Sequence, residues 1–403
     1  MSTKFIGYQE ALEQTLSHLK PLAAEERSLS ESIDYVVAED IFARVDSPSD
    51  YTSLKDGFAV RSKEIAGATS DSPVNLKLQG VVAAGAVTPG SVAAGASLRV
   101  LTGAVIPQGA DAVVAEEYTR TENKLVTVFK HAEPGRNILP KGCDVRIDEL
   151  VIPRGSRLAP GKIGILAAAG HDRISVVSKP RVAIIATGDE VLLPGQPLSA
   201  GKLFASNMFT LNAWCRRYGM ETSLDIVGDN AQRISDKLNL ASQTYNAVLT
   251  SGGAWSGDRD LVARMLGQLD WQKMYHRVRI GPGKAIGFGF LNNTPVFILP
   301  GGPPSNLIAF LKLALPGLLR LAGYSNLQLP DIPSRLAETV TGQSDWTQFI
   351  FGRFESRRGA SYFQPIRYAS RLKSMADAEG IISIPEGTDN ITAGSEIRVS
   401  LVY

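Results

Sequence analysis

The chain has 403 residues, of which 44% are hydrophobic and 20% are charged. This length is too great for one hydrophobic core and predicts two to four domains of ordinary globular composition. The 42 Lys and Arg residues nearly balance the 40 Asp and Glu residues, so no broad electrostatic field selects nucleic acid or an anionic membrane.

The cellular location can be predicted from the cysteines and the apolar segments. Two cysteines, Cys143 and Cys215, cannot build a disulfide framework and fit a reducing compartment. The N-terminus has no basic region leading into an apolar core, so we expect no secretory signal. The longest apolar stretch, residues 307–321, contains Lys312 and Pro316 and is shorter than the roughly 20 residues of a membrane span. We therefore expect a cytoplasmic protein with no membrane segment.

The first half of the chain shows two patterns of apolar residues. Residues 10–19 predict an amphipathic helix, because leucines recur at helical spacing. From about residue 45 to 127, short apolar runs alternate with Gly, Pro and Ser, which predicts a β-rich module with many turns. Mixed structure follows, with a predicted helix at residues 163–169.

From residue 180, apolar runs alternate with helical segments. The predicted strands are 182–186, 222–227, 247–250 and 296–299, and the predicted helices are 207–218, 231–240, 261–269 and 305–315. This alternation is typical of a parallel α/β sheet with helices on both faces. Pro330 and Pro333 mark a linker, and the short strands beyond it, 380–384 and 396–402, predict a small β-barrel.

Three loops after predicted strands carry the most chemically distinctive residues. They read Ala186-Thr-Gly-Asp-Glu190, Thr250-Ser-Gly-Gly-Ala-Trp-Ser-Gly-Asp-Arg-Asp260 and Leu299-Pro-Gly-Gly-Pro-Pro-Ser305. Glycine-dense turns at strand ends let backbone N–H groups hold an anion, and ligands of such sheets sit at the carboxyl ends of the strands. Asp189, Glu190, Asp258 and Asp260 are hard oxygen ligands that suit Mg²⁺ on a phosphate. Each loop alone is equally consistent with a tight turn before a helix, whereas three together favour a site for a phosphorylated small molecule.

The order of motifs along the whole chain resembles the molybdopterin molybdenumtransferase family. The segments that carry the resemblance are Ser53-Leu-Lys-Asp56-Gly-Phe-Ala-Val, Leu101-Thr102-Gly-Ala, Gly135-Arg-Asn-Ile, Ala186-Thr-Gly-Asp-Glu190, Ile226-Val-Gly-Asp229-Asn, Thr250-Ser-Gly-Gly, Leu299-Pro-Gly and Ser370-Arg-Leu-Lys-Ser-Met-Ala. They are collinear with the family motifs and cover essentially the whole chain.

The resemblance implies a multidomain fold of α/β plus β type. Its four parts are a mixed linker domain (1–45 and 139–178), an inserted β-rich domain (46–138), a three-layer α/β/α molybdopterin-binding domain (179–326) and a C-terminal β-barrel (327–403). It also implies a homodimer in which Asp56 and Thr102 approach a site on the other subunit, and transient contacts with the molybdopterin adenylyltransferase and with molybdoenzyme chaperones.

The activity that the resemblance implies is insertion of molybdate into adenylylated molybdopterin, with Mg²⁺ as cofactor and AMP as product. The implied catalytic residues are Asp56, Thr102, Asp144, Glu190, Asp229, Asp260 and Lys284, with Glu190 and Asp56 holding the metal. The implied substrate-binding residues are Thr187, Gly188, Asp189, Ser251, Gly252, Gly253, Pro300, Gly301, Pro303, Ser305, Arg353 and Ser370, of which the last two would hold molybdate. Taken singly, Asp56 and Thr102 are also ordinary turn residues, and Arg353 is equally a solvated strand residue.

Four positions depart from the family pattern within the predicted α/β domain. Ala205 replaces a carboxylate, Trp255 a small polar residue, Gly281 a lysine and Gly302 an asparagine. Two hypotheses therefore stay open: an active molybdenum insertase, or a non-catalytic or specialised paralogue that binds molybdopterin or a partner protein as carrier or scaffold. Molybdate and tungstate are both candidate metal substrates of the insertase.

Overall fold

A computed structural model describes residues 5–85, 90–252, 261–357 and 359–402. Two distant segments of the first 180 residues pack together in a mixed unit with a small apolar core. Its elements are the strands Ala24–Ser28, Val36–Val37, Ile41–Phe42, Leu150–Ile152 and Arg173–Val177, the 3-10 helix Leu29–Glu31 and the helix Pro160–Ala168. The predicted domain boundaries stay predictions. The pairing of residues 24–42 with 150–177 explains why a β-rich segment interrupts the mixed pattern of the sequence between them.

The segment between these two halves forms the predicted β-rich module. A six-stranded sheet has the order Ala112–Ala115, Gly57–Val60, Ala96–Val100, Val74–Val82, Leu125–Val128, Thr119–Glu122. The other elements are the strand pair Thr52–Ser53 and Ile138–Leu139 and the 3-10 helices Ser62–Ile65 and Glu116–Tyr118. Alternate residues of the strand Gly57–Val60 enter two different apolar clusters, one on each face, so this strand is buried on both sides.

The second half of the chain contains the three-layer α/β/α domain. Its sheet has the order Glu221–Val227, Arg181–Thr187, Ala247–Ser251, Thr294–Leu299, Gly287–Leu291, Gln272–His276. The helices are Ser206–Arg217, Ala231–Thr244, Leu261–Gln268 and a long segment from Pro303 to Leu321, and a short strand pair joins Val191–Leu192 to Leu203–Phe204. Val182 and Ile184 face one core while Ala183 and Ile185 face the other, which confirms that helices cover both faces of the sheet.

The sheet is mixed, where the sequence predicted a parallel one. The first four strands are parallel, and the last two, Gly287–Leu291 and Gln272–His276, are antiparallel. These two strands were not predicted, because alternating glycines dilute the apolar pattern of the first. The structure shows why a glycine stands there: a Cβ on Gly289 would lie 2.5 Å from the Gln272 carbonyl oxygen.

The predicted helix 305–315 is longer and less regular than expected. It runs as α-helix over Pro303–Ala309, as a π-helical turn over Phe310–Ala314 and as α-helix over Leu315–Leu321. Pro316 lacks an N–H and its ring conflicts with the carbonyl four residues earlier, and a wider turn accommodates both effects. The first helix of the chain, Tyr8–Ser17, packs against the same core, where the hydroxyls of Thr15 and Tyr275 lie 2.8 Å apart.

A closed β-barrel ends the chain, as predicted. Its strands are Asp331–Leu336, Thr347–Arg357, Ala360–Pro365, Gly380–Ile384 and Glu396–Leu401, with the short pair Val340–Thr341 and Asn390–Ile391 and the helix Arg371–Ala376. The barrel closes because Gly380–Ile384 pairs with both Glu396–Leu401 and Thr347–Arg357. The short strand Ile280–Gly281 of the α/β domain adds to this barrel in parallel, which fixes the two domains against each other. Across all the described ranges, no helix is long and apolar enough to cross a membrane.

Candidate functional site

A cavity of about 550 Å³ lies where three parallel strands of the α/β sheet end. It opens between the loops that follow Arg181–Thr187, Ala247–Ser251 and Thr294–Leu299, which is the edge at which α/β sheets bind their ligands. The α/β domain contributes most of the wall, including Thr187, Glu190, Ala205, Ser206, Asn207, Ser251, Gly252, Gly301, Gly302 and Pro303. The C-terminal barrel domain contributes Arg371 and Leu372.

Two asparagines hold the loops of this cavity together. The Asn306 amide donates to the Ser251 hydroxyl at 3.1 Å and to the Pro300 carbonyl at 2.8 Å. The Asn207 amide donates to the same hydroxyl at 3.3 Å and to the Gly301 carbonyl at 2.8 Å. Asn306 is buried with 1% of its surface exposed, so its two bonds are shielded from water. The Ser251 hydroxyl is thus the point at which two of the three predicted loops meet.

The remaining loop, residues 186–190, is joined to the loop that contains Gly252 by close backbone contact. Gly252 has a φ of +102°, and a Cβ there would lie 2.5 Å from the Thr187 carbonyl oxygen. Only glycine fits this position, because both the conformation and the contact exclude a side chain. Thr187 is itself buried, and its hydroxyl has no hydrogen-bond partner within the described part of the chain.

Asp189 and Glu190, the two carboxylates that follow the strand Arg181–Thr187, have different positions. Glu190 is exposed and lines the cavity, whereas the Asp189 carboxylate accepts a hydrogen bond from the Asp229 backbone N–H at 2.9 Å. Asp189 therefore fastens the turn after Glu221–Val227 and brings Asp229 to the same edge of the sheet, outside the cavity wall. Among the described residues, no group of three or more His, Cys, Asp or Glu side chains is arranged to hold a metal ion.

Asp56 and Thr102 form a pair on the β-rich sheet. Asp56 precedes Gly57–Val60 and Thr102 follows Ala96–Val100, and these two strands pair directly. The Asp56 carboxylate accepts hydrogen bonds from the Thr102 backbone N–H and from its hydroxyl, both at 2.7 Å. The N–H first and the hydroxyl second lower the pKa of Asp56, so this carboxylate is ionised at neutral pH. Neither residue lines the cavity of its own chain.

The remaining predicted residues lie around the cavity or apart from it. Lys284 is exposed, in a loop whose Gly283 packs against the helix Pro303–Ala309. Arg353 is exposed on Thr347–Arg357, and the Ser370 hydroxyl accepts from the Lys373 backbone N–H at the start of the helix Arg371–Ala376. Asp144 is exposed in a loop of the mixed unit. None of these residues lines the cavity.

Three further predicted positions are part of the loops without forming the cavity wall. Gly188 has a φ of +137° and lies against the Glu190 carboxylate, so it shapes that turn. Pro300 is buried, and Ser305 lies in the first turn of the helix Pro303–Ala309. Gly253 and Asp260 lie outside the described residues, as do Trp255 and Asp258.

Several residues that line the cavity or fasten its loops were not predicted from the sequence. Asn207 stands in the Ala205-Ser-Asn207 segment, and Arg371 directly follows Ser370, so the motifs pointed close to both. Asn306 has no such signal, because an asparagine in an apolar helical run has no distinctive pattern. Ala205, where the resemblance expects a carboxylate, is buried in the cavity wall with 4% of its surface exposed.

The fold and the cavity define a multidomain protein that binds small molecules in a three-layer α/β domain flanked by two β-rich units. Models of three protein regions match it in order: the MoeA N-terminal region (domain I and II) over residues 6–170, a probable molybdopterin binding domain over 183–320, and the MoeA C-terminal region (domain IV) over 333–402. The chain belongs to the MoeA family of molybdenum cofactor biosynthesis proteins.

Individual relatives are similar over nearly their whole length. A solved molybdopterin biosynthesis MoeA protein from Pyrococcus horikosii is 31% identical, with a TM-score of 0.84 and 99% of both chains covered. A molybdopterin molybdenumtransferase from Staphylococcus epidermidis is 28% identical over 98% of this chain and 95% of its own. Molybdopterin molybdenumtransferase 2 from Mycobacterium tuberculosis is also 28% identical, over 97% of this chain and 98% of its own. The similarity therefore covers all the units of the fold.

Proposed function

We propose that this chain is a molybdopterin molybdenumtransferase, which inserts molybdate into adenylylated molybdopterin and releases AMP. The observation that carries the proposal is the cavity at the carboxyl ends of three parallel strands, within the region that matches a probable molybdopterin binding domain. Its volume, about 550 Å³, lies in the range of pockets that bury a small molecule. Ser251 and Asn207 supply polar contacts, and no described residue accepts the Ser251 hydrogen, which is therefore available to a ligand.

Glu190 is the carboxylate that we assign to the reaction in this cavity. Mg²⁺ is commonly bound in proteins by one or two carboxylates together with substrate phosphate oxygens and water. Glu190 and Asp56 of a second subunit fit that pattern, and bound Mg²⁺ would neutralise phosphate charge as AMP leaves. Glu190 also lies where it can take up or give a proton as oxo groups of molybdate are replaced.

We also propose a homodimer, which the separation of the two carboxylates supports. Glu190 lines the cavity of its own chain, whereas Asp56 and Thr102 do not. We propose that the Asp56–Thr102 pair of one subunit completes the cavity of the other. A mixture of Asp56→Ala and Glu190→Ala proteins is expected to recover activity after subunit exchange, since hybrid dimers restore one intact site. Failure of the mixture, when each variant is folded and dimeric, would refute the shared site.

The main test is release of AMP from adenylylated molybdopterin with Mg²⁺, measured with and without molybdate. Wild type is expected to release AMP only when molybdate is present, and Glu190→Gln is expected to lose most of this release. Glu221→Gln is the matched control, because Glu221 is exposed at the opposite end of the neighbouring strand. Molybdate-independent behaviour of the wild type, or equal effects of the two variants, would contradict the proposal.

A second candidate is a paralogue that binds molybdopterin without turning it over. The observation that favours it is the cavity wall at Ala205, where a buried methyl group replaces a carboxylate. Gly281, which pairs with Gln348 of the barrel, is a second departure, because the family pattern has a lysine at this position. Tight pterin binding with no molybdate-dependent release of AMP would select this alternative.

We also propose two kinds of transient partner and a location. The adenylyltransferase would supply the adenylylated substrate, and molybdoenzyme chaperones would receive the product. Both free cysteines, of which Cys143 is exposed, fit a reducing cytoplasm. Cell fractionation and titration with purified adenylyltransferase test these points, and enrichment in a membrane or periplasmic fraction would contradict the location.

A further inference from the structure

The cavity has one positively charged residue among its described lining residues, and it comes from the barrel domain. Arg371 lines the cavity at the start of the helix Arg371–Ala376, together with Leu372. Its side chain is exposed, and it forms no hydrogen bond or ion pair with any other described residue. The cations that the sequence predicted for this site, Lys284 and Arg353, do not line the cavity.

Gly302 lies directly opposite this guanidinium. A Cβ on Gly302 would stand 3.8 Å from the Arg371 Nη1 atom and 3.9 Å from the Ser305 hydroxyl oxygen, which are ordinary contact distances. The backbone of Gly302, with φ of −71° and ψ of 128°, is open to any residue. Neither strain nor a clash at Cβ therefore requires glycine here. What glycine provides is empty space between the loop and the guanidinium.

The charges of the cavity indicate what this space is for. Glu190 brings a negative charge, and glycine replaces the family lysine at Gly281. An anionic ligand in the cavity therefore meets one cationic side chain among the described lining residues. A guanidinium presents paired N–H donors that match two oxygens of a tetrahedral oxyanion. An asparagine at position 302 would place three more heavy atoms beyond Cβ and next to this donor group.

We propose that Arg371 binds the oxyanion of the ligand in the molybdopterin cavity, and that Gly302 keeps open the space in which the guanidinium does so. The inference rests on the proposed function, under which the oxyanion is molybdate or the phosphate of the adenylyl group. The two sources share one chemistry, a tetrahedral anion with charged oxygens. The binding site is accordingly assembled from two domains, with its cation supplied by the barrel.

Calorimetric titration of the full-length protein with molybdate, and separately with AMP, tests the role of Arg371 without requiring turnover. Arg371→Ala is expected to weaken binding of one or both anions about tenfold to a hundredfold, and Arg371→Lys less, because it keeps the charge but loses the paired donors. Lys373→Ala is the matched control, since Lys373 is an exposed cation on the same helix outside the cavity wall. A loss confined to molybdate or to AMP identifies the source of the oxyanion. Unchanged binding in Arg371→Ala, or no measurable binding of either anion by wild type, would overturn the proposal.

Gly302→Asn tests the second half of the inference in a double-mutant cycle. The asparagine is expected to weaken anion binding in the wild-type background and to have no further effect once Arg371 is alanine. Equal effects in both backgrounds would show that position 302 acts independently of Arg371. If both anions bind through Arg371 but AMP is never released from adenylylated molybdopterin, the proposed function fails while this inference stands. If AMP release by Arg371→Ala has the wild-type KM and kcat, this inference fails alone.

Discussion

Replacing Asn306 by leucine would break the connection between two loops of the cavity while keeping the number and branching of the side-chain heavy atoms. Asn306 donates to the Ser251 hydroxyl and to the Pro300 carbonyl, and it is 1% exposed. Each hydrogen bond contributes about 1 kcal/mol, and a buried carbonyl left without a partner costs about 1–3 kcal/mol. We therefore expect Asn306→Leu to lower the free energy of unfolding of the α/β domain by about 2–4 kcal/mol.

Asn207→Leu is the matched comparison, because Asn207 makes the same two kinds of hydrogen bond from a partly exposed position. Water can replace those bonds, so its effect on stability is expected to be about 1 kcal/mol or less, with a larger effect on ligand binding. Urea unfolding with comparison of m-values gives both free energies. A loss below about 0.5 kcal/mol in Asn306→Leu, or an equal loss in both variants, would refute the reasoning from burial.

Three further changes have outcomes that follow from the structure. Burial lowers the pKa of Lys312 from 10.5 to about 8. The free-energy cost of burying its ammonium is therefore complete below pH 8 and disappears as pH rises toward 10.5. Lys312→Met should stabilise the chain by about 2 kcal/mol at pH 7, and unfolding at several pH values should show the gain shrinking above pH 8. Thr102→Val removes a hydroxyl donor but keeps the backbone N–H, so an NMR titration should find the pKa of Asp56 raised yet still below its ordinary value; a full return to that value would contradict this. Gly252→Ala should cost more than 2 kcal/mol, since its Cβ would meet a carbonyl at 2.5 Å, whereas Gly301→Ala, with its nearest contact at 3.8 Å, should be mild; similar thermal stabilities of the two would be the contrary result.

The regular elements that the sequence predicted are those whose pattern depends on local geometry. The run Val182-Ala-Ile-Ile-Ala predicted a strand covered on both faces, and the strand Arg181–Thr187 has alternate residues in two separate cores. The strand Gly287–Leu291 escaped prediction because its glycines are required by the neighbouring strand, a contact that no local pattern encodes. Likewise, the π-helical turn at Phe310–Ala314 depends on a proline that follows the segment itself.

The candidate site also divides into residues that the motifs predicted and residues that only the structure revealed. The structure brings six of the predicted site residues to one cavity, because loops after parallel strands meet at one edge of the sheet. They are Thr187, Glu190, Ser251, Gly252, Gly301 and Pro303. The catalytic and binding roles of these residues stay predictions. Asn306 and Asn207 could not be predicted as the residues that fasten the loops, since their partners are backbone carbonyls and a hydroxyl from other segments.

By itself, the sequence determined the family, the order of the structural units and the three loops at the strand ends, because these depend on collinear motifs and on the spacing of apolar residues. Only the tertiary structure decided which side chains share a cavity. It placed Arg371 of the barrel opposite Gly302 of the α/β domain, and it kept Asp56 and Thr102 out of the cavity of their own chain. The reason is physical: an apolar pattern specifies which face of an element is buried, whereas the packing of one domain against another sets the distances between charges that are far apart in the chain.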